Sequence, residues 1–220
     1  MVPQRHAPAS LSSKVDPALR VIELLHVLIT PLKIKDVYTY SHCINVGRVA
    51  AGLGRWIGLD EQQLRVIYAM GIAHDIGKTL VTDDVLKKPG ELTDAQRVHM
   101  RQHVEFGVRI VSSVEELRHL AEGVAQHHEA FDGRGGYPHG LAGEEISVAA
   151  RILAVADAYD AMSSVRPHQQ QPKTPAQIMA IFRQGSGKQW DPDVIAAFFA
   201  CRATIERLYI EDCYLAAEAP

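Results

Sequence analysis

Cysteine is scarce in this 220-residue chain: Cys43, Cys201 and Cys213 make an odd number, with no CxxC spacing and no cysteine-rich cluster. That argues against a disulfide framework and for reduced, structural thiols. Long apolar runs are missing too. No uninterrupted run is long enough to cross a bilayer and no basic, apolar leader is present, so the expectation is a cytoplasmic protein without a membrane partner. Neither sign of charge dominates: 23 Lys and Arg stand against 26 Asp and Glu, a formal net charge of -3. This weakens the case for a nonspecific nucleic-acid binder. Nothing alternates at period two for long enough to make a convincing strand, and there is no repeat or low-complexity tract beyond Gln169–Gln171. A composition of 47% hydrophobic and 22% charged residues excludes a collagen-like or wholly disordered chain. A chain of this length buries about 70% of the surface its unfolded form exposes. It can hold a rigid polar site without disulfides.

What the chain does have is apolar residues at helical spacing. They predict helices over 16–29, with Asp16–Pro17 as cap and first turn, and over 38–57. Asp60 with Gln63 opens a third that runs to Gly77, and Thr93 with Gln96 caps another over 94–112. Further helices are expected at 114–130 and 146–164, then from Thr174–Pro175 and from Asp191–Pro192. Proline is expected only at starts and turns. Between the fifth and sixth helices lies DGRGGYPHGLAG, with five glycines in twelve residues, which no helix tolerates. The fold class is all-α.

Eleven histidines are present, several in short polar islands inside these apolar patterns. His74–Asp75 follows AMGIA, and burying such a pair is costly unless the two are partnered. His127–His128–Glu129 is the second island. Adjacent helical residues point about 100° apart, so both histidines can face one ion only near a helix end, which the glycine-rich loop supplies. Asp157 and Asp160 form the third and share a helix face, one able to face the core and the other its rim. Each island taken alone also fits a hydrogen-bonded core pair or a structural carboxylate. Together, imidazole and carboxylate suit a first-row divalent ion. Two such ions need one bridging carboxylate and lower the pKa of a shared water.

The ordered motifs DVYTYSH, AHDIGK, LKKPGELT, RQHVEFG, HHEAFDGRGGYPHGLAGEEI, AARILAVADAYDAMSS and RP resemble the bacterial HD-GYP phosphodiesterase domain, from about Asp36 to Phe198. The resemblance implies an HD-superfamily bundle of about seven to nine helices with a glycine-rich GYP loop. It makes 16–213 the catalytic domain, 1–15 a flexible arm or linker and 214–220 a tail, and the linker favours a catalytic fragment over a stand-alone enzyme. It implies His42, His74, Asp75, His103, His127, His128 and Asp157 as ligands of two divalent ions. Asp75 bridges them; His42, His74 and Asp157 complete one sphere, and His103, His127 and His128 the other. Iron or manganese is expected, with zinc, nickel or cobalt as substitutes. Tyr38 stands where three-metal members carry a glutamate, which favours two ions.

By the same resemblance, a hydroxide bridging the ions attacks cyclic di-GMP, giving linear pGpG, which some members cut again to GMP. Asp75 and Lys78 act in catalysis, and Lys78, Arg166 and Gln169 contact the substrate. Gly136, Tyr137 and Pro138 form the loop that meets a diguanylate-cyclase (GGDEF-type) domain in some members. An upstream regulatory domain is another candidate partner, and helix 16–29 has apolar surface enough for a homodimer. Four departures stand out. Cys43 replaces a serine and Asn45 an arginine, the GYP segment is one residue longer and has Ala130 in place of arginine, and His168 with Gln169 replaces a tyrosine and a basic residue. Two alternatives remain: a phosphodiesterase for another cyclic or linear dinucleotide, and a weakly active signalling module acting through the GYP loop.

Overall fold

The computed structural model describes residues 17–165 and 171–217. Among them there is no strand, and the expected all-α bundle is what the chain forms. Its helices are α1 (Pro17–Lys35), α2 (Val37–Ile57), α3 (Glu61–Ala73), α4 (Asp83–Leu86), α5 (Asp94–Arg101), α6 (His103–Ser112), α7 (Ala121–Gln126), α8 (Val148–Ser163), α9 (Pro175–Gly185) and α10 (Pro192–Ala217). Three 3₁₀ turns, at Ile76–Leu80, Glu115–Leu120 and Gly143–Glu145, link them.

The starts follow from capping chemistry. Asp60 accepts from the Gln63 amide at 2.8 Å while the Gln63 side chain accepts from the Asp60 amide at 2.9 Å. Thr93 with Gln96 and Thr174 with Gln177 repeat this reciprocal box at α5 and α9. Asp36 caps α2 through the Tyr38 amide. The cap expected at Asp16 lies outside the described residues. Against expectation, one proline sits inside a helix: Pro31 lies on the exposed face of α1, where solvent reaches the carbonyl left without a donor.

The core runs between α1, α2, α3, α8 and α10, around Leu25, Leu53, Ile67, Ile72, Leu153 and Phe198. The α2–α3 contact is close because two glycines face each other. A Cβ on Gly71 would lie 2.4 Å from Gly47 Cα, so any side chain there would push the helices apart. That approach brings the middle of α2 beside the end of α3. No helix among the described residues is long and apolar enough to cross a membrane.

Candidate metal centre

Three helices end sooner than apolar periodicity suggests, and each end is marked by a histidine. Helix α3 stops at Ala73 rather than running to Gly77, and His74 Nδ1 bonds Gly71 O at 2.7 Å. The helix expected over 94–112 breaks at Gln102, and His103 Nδ1 bonds Met100 O at 2.7 Å. The segment 114–130 becomes a 3₁₀ turn followed by α7, which ends at Gln126, and His127 Nδ1 bonds Val124 O at 2.8 Å. The last carbonyls of a helix lack intrahelical donors. In each case the imidazole donates to the carbonyl three residues back, which fixes the tautomer and leaves Nε2 as a lone pair.

His42 is held differently. It lies within α2, whose own amides take the neighbouring carbonyls, and its Nδ1 meets Asp160 Oδ2 of α8 at 2.6 Å. Its Nε2 is 3.1 Å from Asp157 Oδ1 and 3.7 Å from Asp75 Oδ2. Of the two α8 carboxylates, Asp160 is thus the core residue and Asp157 the one at the rim.

Asp75 sits between the histidines. Its Oδ2 is 3.3 Å from His74 Nε2 and its Oδ1 is 3.3 Å from His103 Nε2. Lys78 Nζ, carried by the 3₁₀ turn rather than by an extended α3, donates to Asp75 Oδ2 at 2.6 Å. Ligand-type atoms gather into two groups, Asp75–His103–His127–His128 and His42–His74–Asp157, each with its atoms within 4.8 Å of one another. All seven residues expected as ligands are therefore brought together. Arg166 and Gln169 lie outside the described residues.

Charge is distributed unevenly over this cluster. Burial alone would raise the Asp75 carboxyl, but Lys78 and His74 outweigh it and hold it well below the usual range. Asp157 is held low in the same way, chiefly by His42. Burial lowers His103 and His127 and pushes His128 down to about 3, so these three are neutral at pH 7. Burial would also lower His42, but Asp157 and Asp160 push it up to about 9.

The donor set fits metal ions. His74 Nε2, His103 Nε2, His127 Nε2 and Asp75 Oδ1 are buried without a hydrogen-bond partner. Each such atom costs about 1–3 kcal/mol if left unmet, and here they converge. Neutral imidazoles with carboxylates are what a first-row divalent cation requires.

The glycine-rich loop folds back on this centre. Tyr137 N donates to His128 O at 3.1 Å, and the Tyr137 ring stacks on His128 at 4.7 Å. The Tyr137–Pro138 peptide is cis, and Gly136 lines the adjoining cavity. Glu129, to which the sequence assigned no role of its own, is buried and accepts the His139 amide at 2.7 Å and the Leu141 amide at 3.1 Å. Arg101, also without an assigned role, lies 4.6 Å from the Tyr137 ring centroid. Glu129 belongs to the second polar island, which is the signal the sequence holds for it; nothing in the sequence marks Arg101, and for Asp160 the spacing from Asp157 is the available signal.

The model of the HD domain family matches residues 26–194. The chain is 34% identical over 189 residues to the cyclic di-GMP phosphodiesterase response regulator RpfG of Xanthomonas campestris pv. campestris, covering 84% of this chain and 49% of that protein. It is 32% identical over 192 residues to 3'3'-cGAMP-specific phosphodiesterase 2 of Vibrio cholerae, covering 83% and 36%. The chain thus spans about half or less of these curated relatives. Among solved structures, the HD domain of the L. monocytogenes phosphodiesterase PgpH in complex with cyclic-di-AMP superposes with a TM-score of 0.61. That likeness, at 19% identity over 84% of this chain and 97% of the other, shows the fold.

Proposed function

The chain belongs to the HD domain family, and from that membership we propose that its site hydrolyses a phosphodiester of a cyclic dinucleotide, with cyclic di-GMP as the first candidate. The observation that carries this reading is the pair of histidine–aspartate groups meeting at Asp75, with four buried donor atoms left unpaired. His42, His74 and Asp157 would hold one divalent ion and His103, His127 and His128 the other, with Asp75 shared. Two ions, when bound, neutralise charge on the phosphodiester and lower the pKa of a shared water. Iron or manganese suits the mixed nitrogen and oxygen donors.

The remaining residues act around that centre. Asp160 keeps the His42 ring turned so that Nε2 faces Asp157. Burial would lower the Lys78 ammonium, but Asp75 raises it. Lys78 therefore keeps its proton and would stabilise or protonate the departing oxygen. Tyr137 stays a phenol, raised first by burial. The cis Tyr137–Pro138 turn and Gly136 present the loop on which a diguanylate-cyclase-type domain would dock. A mixed cyclic dinucleotide is the second reading, favoured by the likeness to the Vibrio enzyme.

The test is turnover of cyclic di-GMP, 3'3'-cGAMP and pGpG by the full chain loaded anaerobically with iron or manganese, with metal content measured in parallel. Metal-dependent opening of cyclic di-GMP, fastest of the three, is expected. Two bound ions without turnover of any of them would overturn the reading.

A further inference from the structure

A cavity of about 410 Å³ opens beside the metal centre. Its lining includes His127, His128 and Asp157, and exposed Arg134 and Lys188 stand at its rim. Among the described residues, three other cations near the centre are committed: Lys78 to Asp75, Arg151 to Asp191 and Arg101 to the Tyr137 ring. Arg134 and Lys188 hold no side-chain ion pair among the described residues. The nearby carboxylates are turned toward backbone amides, Asp132 to Arg134 N and Glu129 to His139 N and Leu141 N.

The backbone under Lys188 is fixed. Its carbonyl accepts the Asp132 amide at 2.7 Å, the next carbonyl accepts the Phe131 amide at 3.2 Å, and its own amide donates to Gly185 O at 3.1 Å. Buried Trp190 packs its ring on Phe182 with centroids 4.9 Å apart. A pinned turn thus presents an uncommitted cation to a cavity that shares its lining with the metal centre.

A cyclic dinucleotide carries two phosphates across one ring. With one phosphate at the metal centre, the other falls a short way to the side and keeps its full charge. Small-molecule sites span roughly 300–1,000 Å³, and this cavity falls within that range. We infer that Arg134 and Lys188 form a second anion subsite, which holds the phosphate that is not cut while the attached nucleotide enters the cavity. The inference rests on the phosphodiesterase reading above.

The experiment compares wild type, Lys188→Ala, Lys188→Glu and the Arg134→Ala/Lys188→Ala double variant, all manganese-loaded. Binding is measured with a non-hydrolysable phosphorothioate analogue of cyclic di-GMP at two salt concentrations. Turnover is measured on cyclic di-GMP and on bis(p-nitrophenyl) phosphate, which has one phosphate only. Lys188→Ala should weaken the analogue about threefold to tenfold, and Lys188→Glu and the double variant more, with a shallower salt dependence. The loss in kcat/KM should be about tenfold larger for cyclic di-GMP than for the one-phosphate substrate. Equal losses on both substrates, or wild-type binding by the double variant, overturn the subsite while leaving the phosphodiesterase reading in place. Wild type that binds the analogue but hydrolyses neither substrate sinks that reading, and the binding series still decides the subsite. Wild type that neither binds nor hydrolyses overturns both.

Discussion

His42 and the trio His74, His103 and His127 point Nε2 into one centre, but they are aimed by different means. The trio is aimed by backbone, each Nδ1 taking the carbonyl three residues back at a helix end. His42 is aimed by a side chain, Asp160, reached from another helix. A mid-helix histidine has no orphan carbonyl to use, so it needs a partner from elsewhere. The consequence is electrostatic. Burial keeps His103 and His127 neutral, whereas His42, between two carboxylates, holds a proton up to about pH 9 that an ion beside Asp157 would replace. His42 can be turned by changing an orienting side chain, and the trio only by moving the chain.

The largest effect is expected at the residue both halves share. Asp75→Ala removes the carboxylate that contacts His74, His103 and Lys78 and leaves their polar atoms facing one another. Turnover should fall well beyond the roughly 10- to 100-fold caused by changing a group behind a ligand, and both ions should be lost, as read by metal analysis. Retention of two ions would show that the halves do not depend on this bridge.

Gly77→Ala attacks the backbone that holds His103. A Cβ there would lie 1.9 Å from His103 O and 2.5 Å from Gly107 N, so the 3₁₀ turn carrying Lys78 and the start of α6 must separate. Forcing extra atoms into a packed core commonly costs about 1–3 kcal/mol, and contact with backbone puts this case at the upper end or above. Urea denaturation of the metal-free chain should register that loss, and a loss below about 1 kcal/mol would mean that the two segments yield easily.

Asp160→Ala attacks the side chain that holds His42. The His42 ring loses its orienting partner, and metal affinity should drop about 10- to 100-fold, with a smaller drop for Asp160→Asn, which can still accept from Nδ1. Chelator competition would measure it. Wild-type affinity in Asp160→Ala would erase the distinction between the two means of aiming.

The same contrast explains what could be read in the sequence. Apolar periodicity and capping boxes located the helices, and the polar islands located the histidines, because both are local patterns. The early ends of α3, α5 and α7 were not legible. Periodicity records which face is apolar, and it does not record that an imidazole has captured the carbonyl on which the next turn depends. Asp157 and Asp160 were visible as a pair on one face, but which faced the core depended on where α2 packs. Glu129 reaches amides ten and twelve residues away across a glycine-rich loop, a contact set by loop geometry and not by spacing. Pro31 was missed because a proline on an exposed helix face leaves its orphaned carbonyl within reach of water.

The smallest effect is expected at Tyr137, which tests whether aromatic packing adds a third means of aiming a histidine. His128 makes no carbonyl bond of the kind its neighbours make; its ring lies between His103, 5.2 Å away, and Tyr137, 4.7 Å away with planes 29° apart. Such a ring contact is worth about 0.5–1.5 kcal/mol beyond its burial, and the Arg101 guanidinium over the same ring adds about 0.5–1 kcal/mol at an exposed position. The ring contact with His128 is the part felt at the centre, so Tyr137→Ala should cost about three- to tenfold in kcat/KM, far less than Asp75→Ala. Tyr137→Phe keeps the ring and loses only the hydroxyl, so it should stay within about twofold of wild type. Steady-state kinetics on both variants, with metal content matched, decide the point. If phenylalanine loses as much as alanine, the hydroxyl and not the ring is what the centre uses, and His128 must be aimed by its neighbours alone.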